Sequence, residues 1–525
     1  MSSPDAPAAA LPGPPIALAG ARAGSLGRPG IWLAAISLPW LVLWLLPPLN
    51  HDVSALLLFT DRWLDGAELY RDLVDVNPPL VFLLYAVPQQ LARVAGMPPA
   101  ASFLACFAAF VGMIGWLAVA RLQALGVGPA RSIMLWAILP FTVAGLGAGM
   151  EGQREQLLIL AAFPWLLDAA RRATGRRAWR ETVPAALLAA IGFCLKPHFL
   201  LIPALVEPWL LLRRGPAALR DPVPWCLLAT VLAYGALIAL AFPAYLTDMV
   251  PLVLGAYSAF GEHTAADILF SRDLAPSLLV LAACLPGVRR SRDPVAVALA
   301  LAALGAVFGA VAQAKGWPYH RLPAEMLIVL LVGWQGFGWL EGLGAPAVAS
   351  APKLAAALLV AANAFAFTTR EGPWRAWEEA RGPVPELVAI LRAHAAGRPV
   401  LALTPGVDPV YPALLRAGAY QAMRYMTLWP LQVVYADCPR SGARYRDIAR
   451  MGAVEQRVFE GVVEDFLRQR PAVVLVDRFA DTVPCAGQEF DFLAYFQRDP
   501  RFAEAFTDYR KVAEIDRFSI FTRVD

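Results

Sequence analysis

Between residues 101 and 369 most of the arginines are gathered into a few short connections, and the stretches between them are apolar over lengths that suit a bilayer. The clusters are RLQALGVGPAR (121–131), RRATGRRAWR (171–180), RRGPAALR (213–220) and RRSRD (289–293), with a further basic stretch around Lys353. Lys and Arg beside membrane helices are kept on the cytoplasmic side. A crossing needs about 20 apolar residues. With the basic connections and the N-terminus inside, roughly eleven crossings follow: 31–49, 101–120, 132–149, 156–170, 182–195, 199–212, 223–246, 274–288, 295–313, 322–341 and 354–369. The apolar stretch 80–94 does not fit the alternation. As a crossing it would turn every later arginine cluster outward, so it is read as a juxtamembrane or re-entrant helix.

A hydrophobic content of 58% and a mean hydropathy of +0.54 exclude an ordinary soluble protein and fit a multi-pass membrane protein. The net charge of +4 is spread over loops. No basic stripe interleaved with aromatics appears, so nucleic acid is excluded as a partner. Residues 1–30, rich in Ala, Pro and Gly, read as a disordered cytoplasmic N-terminus. The apolar run after them lacks a small-residue cleavage site and reads as a retained helix. The fold expected for 31–370 is therefore a mainly α transmembrane domain with a juxtamembrane first outer loop at 50–100.

An odd number of crossings leaves 371–525 outside the cytoplasm. There, strand-like stretches at 399–405, 472–477 and 518–524 alternate with a helical pattern at 454–468, as in a soluble α/β domain. Cys438 and Cys485 fall in this part and are candidates for a disulfide in an oxidising compartment. Cys106, Cys194, Cys226 and Cys284 lie in apolar segments and read as buried small residues. No Cys/His spacing indicates a metal, and no cofactor is called for.

With this topology the distinctive polar stretches all fall on the outer face: NHD (50–52) and DVNPP (75–79), MEGQREQ (150–156), LKPHF (195–199), FGEHTAAD (260–267) and AKGWPYHRLP (314–323). Ionisable groups at helix ends near lipid are costly unless they face a cavity or a partner, so five loops meeting that cost on one face point to one shared cavity. The first loop holds six carboxylates within 50–80. Asp61, Asp65, Glu68 and Asp72 accompany Leu57, Trp63 and Leu64 in an amphipathic run and read as its wet face. Asp52, preceded by His51 at a helix end, is the candidate base. Glu151 and Glu155 stand four apart with Arg154 three from Glu151, a spacing that equally suits an intrahelical ion pair. GAGMEG (147–152) matches GxGxxG but follows an apolar helix and not a strand, which argues against a dinucleotide site.

Lys196 and His198 sit in a tight loop, and Lys315, Tyr319, His320 and Arg321 in another, with His263 in the loop between. Such cations snorkel readily. Two Lys/His groups on one face also form a seat for an anionic head group such as a lipid phosphate. An acid beside that seat suits displacement at a sugar carbon: the carboxylate deprotonates an incoming hydroxyl, and the cations neutralise the departing phosphate.

The pattern HD…WLDGAELYRDLVDVNPPL, followed by GQRE, KPHF, KGWPYH and an extracytoplasmic C-terminal domain, resembles bacterial GT-C class integral-membrane glycosyltransferases. It is most similar in layout to protein O-mannosyltransferases, lipid A aminoarabinose transferases and the rhizobial lipopolysaccharide galacturonosyltransferases. The resemblance covers nearly the whole chain. It implies a bacterial inner-membrane enzyme with an outward-facing site, a polyprenyl-phosphate-linked sugar donor, and a cell-envelope glycan, lipid or protein acceptor. It also implies inversion at the sugar carbon and a first-loop acid as base, which falls on Asp52. Many members carry a second acid beside it; here Val53 follows, so a divalent metal is not indicated. Glu151 stands where relatives often place another acid. Two other readings use the same charges for binding alone: a transporter or flippase of lipid-linked sugars, and a non-catalytic component of surface-polysaccharide assembly. Transporters usually carry internal repeats, and none is visible.

Overall fold

The computed structural model describes residues 48–128, 131, 138–139, 141–147, 149–175, 179–260, 263–347, 350, 353–354, 357 and 373–524. It is mainly helical, with one five-stranded sheet near the C-terminus. The helices expected over 31–49 and 354–369 lie largely outside the described residues, and that expected over 132–149 is described in part, with a π-helical stretch Phe141–Leu146. Four described helices are long and apolar enough to cross a membrane: Pro99–Leu125, Pro222–Ala241, Pro294–Gln313 and Pro318–Gly342. Each begins with proline, at the position where a missing N–H has no intrahelical partner to lose.

Helices Arg154–Ala173, Trp179–Cys194, Leu201–Arg214 and Ala275–Ser291 occupy other expected places. They are shorter or carry several charges, so the expected count of eleven is not reached among the described residues. The stretch 80–94 is a helix, Leu80–Ala95, that packs on His51–Leu64. Gln89 Nε2 donates to Leu57 O (2.7 Å), and Arg93 bridges Asp61 and Asp65 at 2.6 and 2.9 Å. These two acids are thus occupied at the surface, as the amphipathic pattern suggested.

The basic connections and the polar loops lie at opposite ends of the same helices. Arg154–Ala173 starts with Arg154 and ends with Arg171 and Arg172, about 25 Å further along the axis. At that far end the arginines are paired internally. Arg121 and Arg171 flank buried Asp168 (both 3.2 Å), Arg172 bridges Glu207 and Asp221 (2.7 and 2.8 Å), and Arg131 bridges Asp293 and Glu341 (2.7 and 3.1 Å). Buried charges are tolerated only when paired in this way.

In the C-terminal domain, strands β1 (Pro399–Leu403), β2 (Tyr420–Gln421), β3 (Val473–Asp477), β4 (Tyr509–Ile515) and β5 (Phe518–Arg523) run in the order β2-β1-β3-β5-β4. β1 pairs in parallel with β2 and β3, and β5 is antiparallel to β3 and β4. β1 and β3 are apolar and buried almost throughout, as strands covered on both faces must be. β2, of two residues, and β4, whose charges lie exposed at the sheet edge, were not apparent in the sequence pattern. Cys438 and Cys485 form a disulfide with Cα atoms 5.5 Å apart.

This domain shares a continuous core with the first outer loop. Phe59 meets Tyr411 edge-on at 6.3 Å, Arg62 donates to Gln421 O (2.9 Å), and Arg457 pairs with Asp248 (2.7 Å). The Val74 N–H donates to Arg424 O at 2.7 Å.

Candidate active site

Asp52 owes its position to its neighbours on both sides. Asn50 caps the helix His51–Leu64, its Oδ1 accepting the Asp52 N–H at 2.9 Å. The carboxylate thereby stands at the positive end of a helix. Asn50 Nδ2 donates to Gly149 O (2.7 Å), which ties this start to the second outer loop. Two glycines let that loop fold. Gly149 and Gly152 have φ of 80° and 79°, and a Cβ on Gly152 would lie 2.2 Å from the Phe103 ring. Gln153 then reaches back, its Nε2 donating to Asn50 Oδ1 and to Asp52 Oδ2, both at 2.9 Å.

Arg154, the first residue of its helix, is buried. It donates to Asn77 Oδ1 (2.5 Å) and Gln153 Oε1 (2.9 Å), and its guanidinium lies 3.8 Å from Asp52 Oδ2. Asp75 Oδ1 accepts the Asn77 N–H and side-chain amide at 2.8 and 2.7 Å. Burial pushes the Asp75 carboxyl above the usual range, against the pull of those two donors and of Arg154. Lys196 donates to Glu155 Oε1 at 2.5 Å and lies 5.2 Å from the centre of the Tyr319 ring.

These groups surround one chamber of about 240 Å³. Asp52, Asp75, Arg154 and Lys196 supply its charges, Tyr257, Phe260, Trp317 and Tyr319 its aromatic side, and Trp429 and its neighbours from the C-terminal domain another wall. All five polar loops therefore contribute to it. Two acids and two cations in one partly enclosed space can take up a proton and neutralise an anionic group at the same moment.

Other expected site residues stand elsewhere. His51 is half-buried, with its Nε2 3.7 Å from Asp52 Oδ1. Glu151 makes no ion pair with Arg154. It is buried away from the chamber, where Oε1 accepts the Gly149 N–H (2.8 Å) and Oε2 lies 3.6 Å from Arg375. The helix starts after it, which separates it from Glu155. Glu155 is fully buried behind Lys196. Lys315 directs its ammonium at the carbonyls of Tyr257 (2.7 Å), Ser258 (2.9 Å) and Phe260, so it holds the turn that carries two chamber aromatics and does not face the chamber. His263, His320 and Arg321 line a separate cavity of about 120 Å³. Arg321 is paired there with Glu325 and Asp273 (3.0 and 3.3 Å). His198 packs against Phe199 and faces an internal void beside His320. Among the described residues no three His, Cys, Asp or Glu side chains are grouped to hold a metal ion.

Sequence reasoning missed Asp75, Asn77 and Gln153. The stretches DVNPP and GQRE marked the right loops, but which side chain turns inward depends on the Asn50–Gln153 contact 103 residues apart in sequence. No local signal pointed to Thr427 or Trp429, which line the chamber from the C-terminal part.

No protein-family model matches the sequence, and no curated protein sequence matches it. Solved structures do, two crystal structures of one protein among them. The crystal structure of ArnT from Cupriavidus metallidurans in the apo state matches with a TM-score of 0.57 and 12% identity, covering 94% of this chain and 98% of that one. The same protein bound to undecaprenyl phosphate matches with a TM-score of 0.54, at the same identity and coverage. At 12% identity the likeness is one of architecture, and over nearly its whole length the chain has an ArnT-like fold.

Proposed function

We propose that this chain is an inner-membrane glycosyltransferase. It moves a sugar from a polyprenyl-phosphate donor to an acceptor hydroxyl of an envelope glycan, lipid or protein outside the cytoplasm. The observation that carries this reading is the convergence of Asp52, Arg154 and Lys196 on one chamber at the end of the bundle opposite the arginine clusters. The disulfide in the adjoining domain suits an oxidising compartment, and ArnT, of the same fold, has been crystallised with undecaprenyl phosphate.

In this mechanism Asp52 takes the proton of the acceptor hydroxyl. The acceptor oxygen bonds to the anomeric carbon as the bond from that carbon to the phosphate oxygen breaks, and the configuration inverts. Lys196 and Arg154 neutralise the charge growing on the departing phosphate, while Gln153 keeps the Asp52 carboxylate aimed. Asp52 is about one-fifth exposed, enough to meet an acceptor arriving from the chamber. No metal enters the scheme.

The test is transfer by the purified chain in sealed proteoliposomes, given radiolabelled undecaprenyl-phosphate monosaccharides and envelope extract. Label appearing in acceptor material supports the proposal. Label only moved across the bilayer, or only bound, contradicts it and favours the flippase or the scaffold.

A further inference from the structure

The chamber wall supplied by residues 425–430 has features that phosphate binding leaves unused. Thr427 is 4% exposed and lines the chamber, and among the described residues its hydroxyl has no hydrogen-bond partner. Trp429, half-buried two residues on, closes an aromatic corner with Tyr257 (ring centres 5.1 Å apart, nearly perpendicular) and Phe260 (5.9 Å). Phe260 in turn meets Trp317 at 6.1 Å.

The wall is held firmly on both sides. The Leu428 N–H donates to Thr404 O (2.8 Å) and Tyr411 Oη to Met426 O (2.6 Å), which fixes the segment to its own domain. The Val74 N–H donates to Arg424 O (2.7 Å), and Val74 pairs with Tyr425 as an isolated β-bridge. Val74 immediately precedes Asp75, so one hydrogen bond sets the wall against the chamber's buried carboxylate.

We infer that residues 425–430 of the C-terminal domain form the donor-sugar wall of the chamber, Trp429 offering an aromatic surface to the ring and Thr427 bonding one sugar hydroxyl. The inference rests on the polyprenyl-phosphate reading. The sugar is joined directly to the phosphate, so a phosphate seated at Lys196 and Arg154 places the sugar within the same small space, and the acceptor approaches from its mouth. A pocket with an aromatic wall and a few convergent polar groups orients a ligand through those groups, here the Thr427 hydroxyl beside Trp429. It rejects an analogue lacking the matching group more strongly than apolar contact alone can.

The test compares bare undecaprenyl phosphate with a panel of undecaprenyl-phosphate hexoses, pentoses and uronic acids, binding to the full chain in nanodiscs. At least one sugar-bearing lipid is expected to bind about 10-fold or more tightly than the bare lipid. Thr427→Val and Trp429→Ala should abolish that gain and leave bare-lipid binding within about twofold, while Thr427→Ser keeps it. Bare-lipid binding also reports that the variants are folded. A gain that survives both substitutions overturns the inference, as does the absence of any gain in the wild type or an equal loss of bare and sugar-bearing lipid. Failure of bare undecaprenyl phosphate to bind the wild type overturns the donor reading itself, a separate result.

Discussion

The side-chain amide nitrogen of Gln153 stands 2.9 Å from Asp52 Oδ2, and the same nitrogen reaches Asn50 Oδ1 at 2.9 Å. One amide thus joins the residue that starts the first outer helix to the residue proposed as base. Gln153→Leu removes one of the two donors to Asn50 Oδ1, which keeps the Asp52 N–H, and takes from the Asp52 carboxylate a hydrogen bond worth about 1.5–3 kcal/mol, freeing it to turn. Transfer should fall by about 10²-fold with a smaller change in donor affinity, since loss of orientation acts on the chemical step. Single-turnover and binding measurements separate the two. Gln153→Glu, which sets a second carboxylate against Asp52, should be the more damaging.

Lys196 and Glu155 form a pair 2.5 Å apart in which the carboxylate is fully buried. Lys196→Ala strands that carboxylate, and removal of one partner from such a pair costs about 3–5 kcal/mol. Thermal unfolding in detergent should show this loss. Lys196→Met combined with Glu155→Gln should recover most of the stability, yet bind undecaprenyl phosphate more weakly than wild type. If the double variant binds the lipid normally, Lys196 is a structural residue only.

The sequence made the apolar helices and the polar loops legible because each rests on local hydropathy or charge. Asp61 and Asp65 could likewise be set aside from periodicity alone. The roles of Glu151 and Lys315 could not be read. Both lie in the right loops, but Glu151 turns back to the Gly149 N–H and Lys315 to three carbonyls of the 257–260 turn, contacts that no spacing encodes. The same holds for Trp429, brought to Tyr257 by the packing of the C-terminal sheet region against the helices.

Burial raises the Asp75 carboxyl pKa above its unfolded value. The folded chain therefore holds that proton more tightly than the unfolded one. The stability this contributes is present at acid pH and is lost as pH rises from about 4 through the raised folded value. Asp75→Asn carries no titrating group there, so its unfolding temperature should fall less than that of the wild type as pH rises through that window. Parallel melting curves for the two proteins would indicate that Asp75 is not strained by burial.

The Cys438–Cys485 bond closes a loop of 47 residues in sequence. Cross-links of this span stabilise by about 4 kcal/mol in the chain-entropy account. Cys438→Ser with Cys485→Ser should lower the stability of the C-terminal domain by an amount of that order. Because this domain walls the chamber, donor binding should weaken with it. Limited proteolysis alongside lipid binding checks both effects.

The most direct measurement is sugar transfer by Asp52→Asn, with undecaprenyl-phosphate monosaccharides as donors and envelope extract as acceptor. Asparagine keeps the size of the side chain and removes its ability to accept a proton. The account predicts a variant that inserts, folds and binds undecaprenyl phosphate like the wild type but does not transfer sugar. Transfer at the wild-type rate would contradict it.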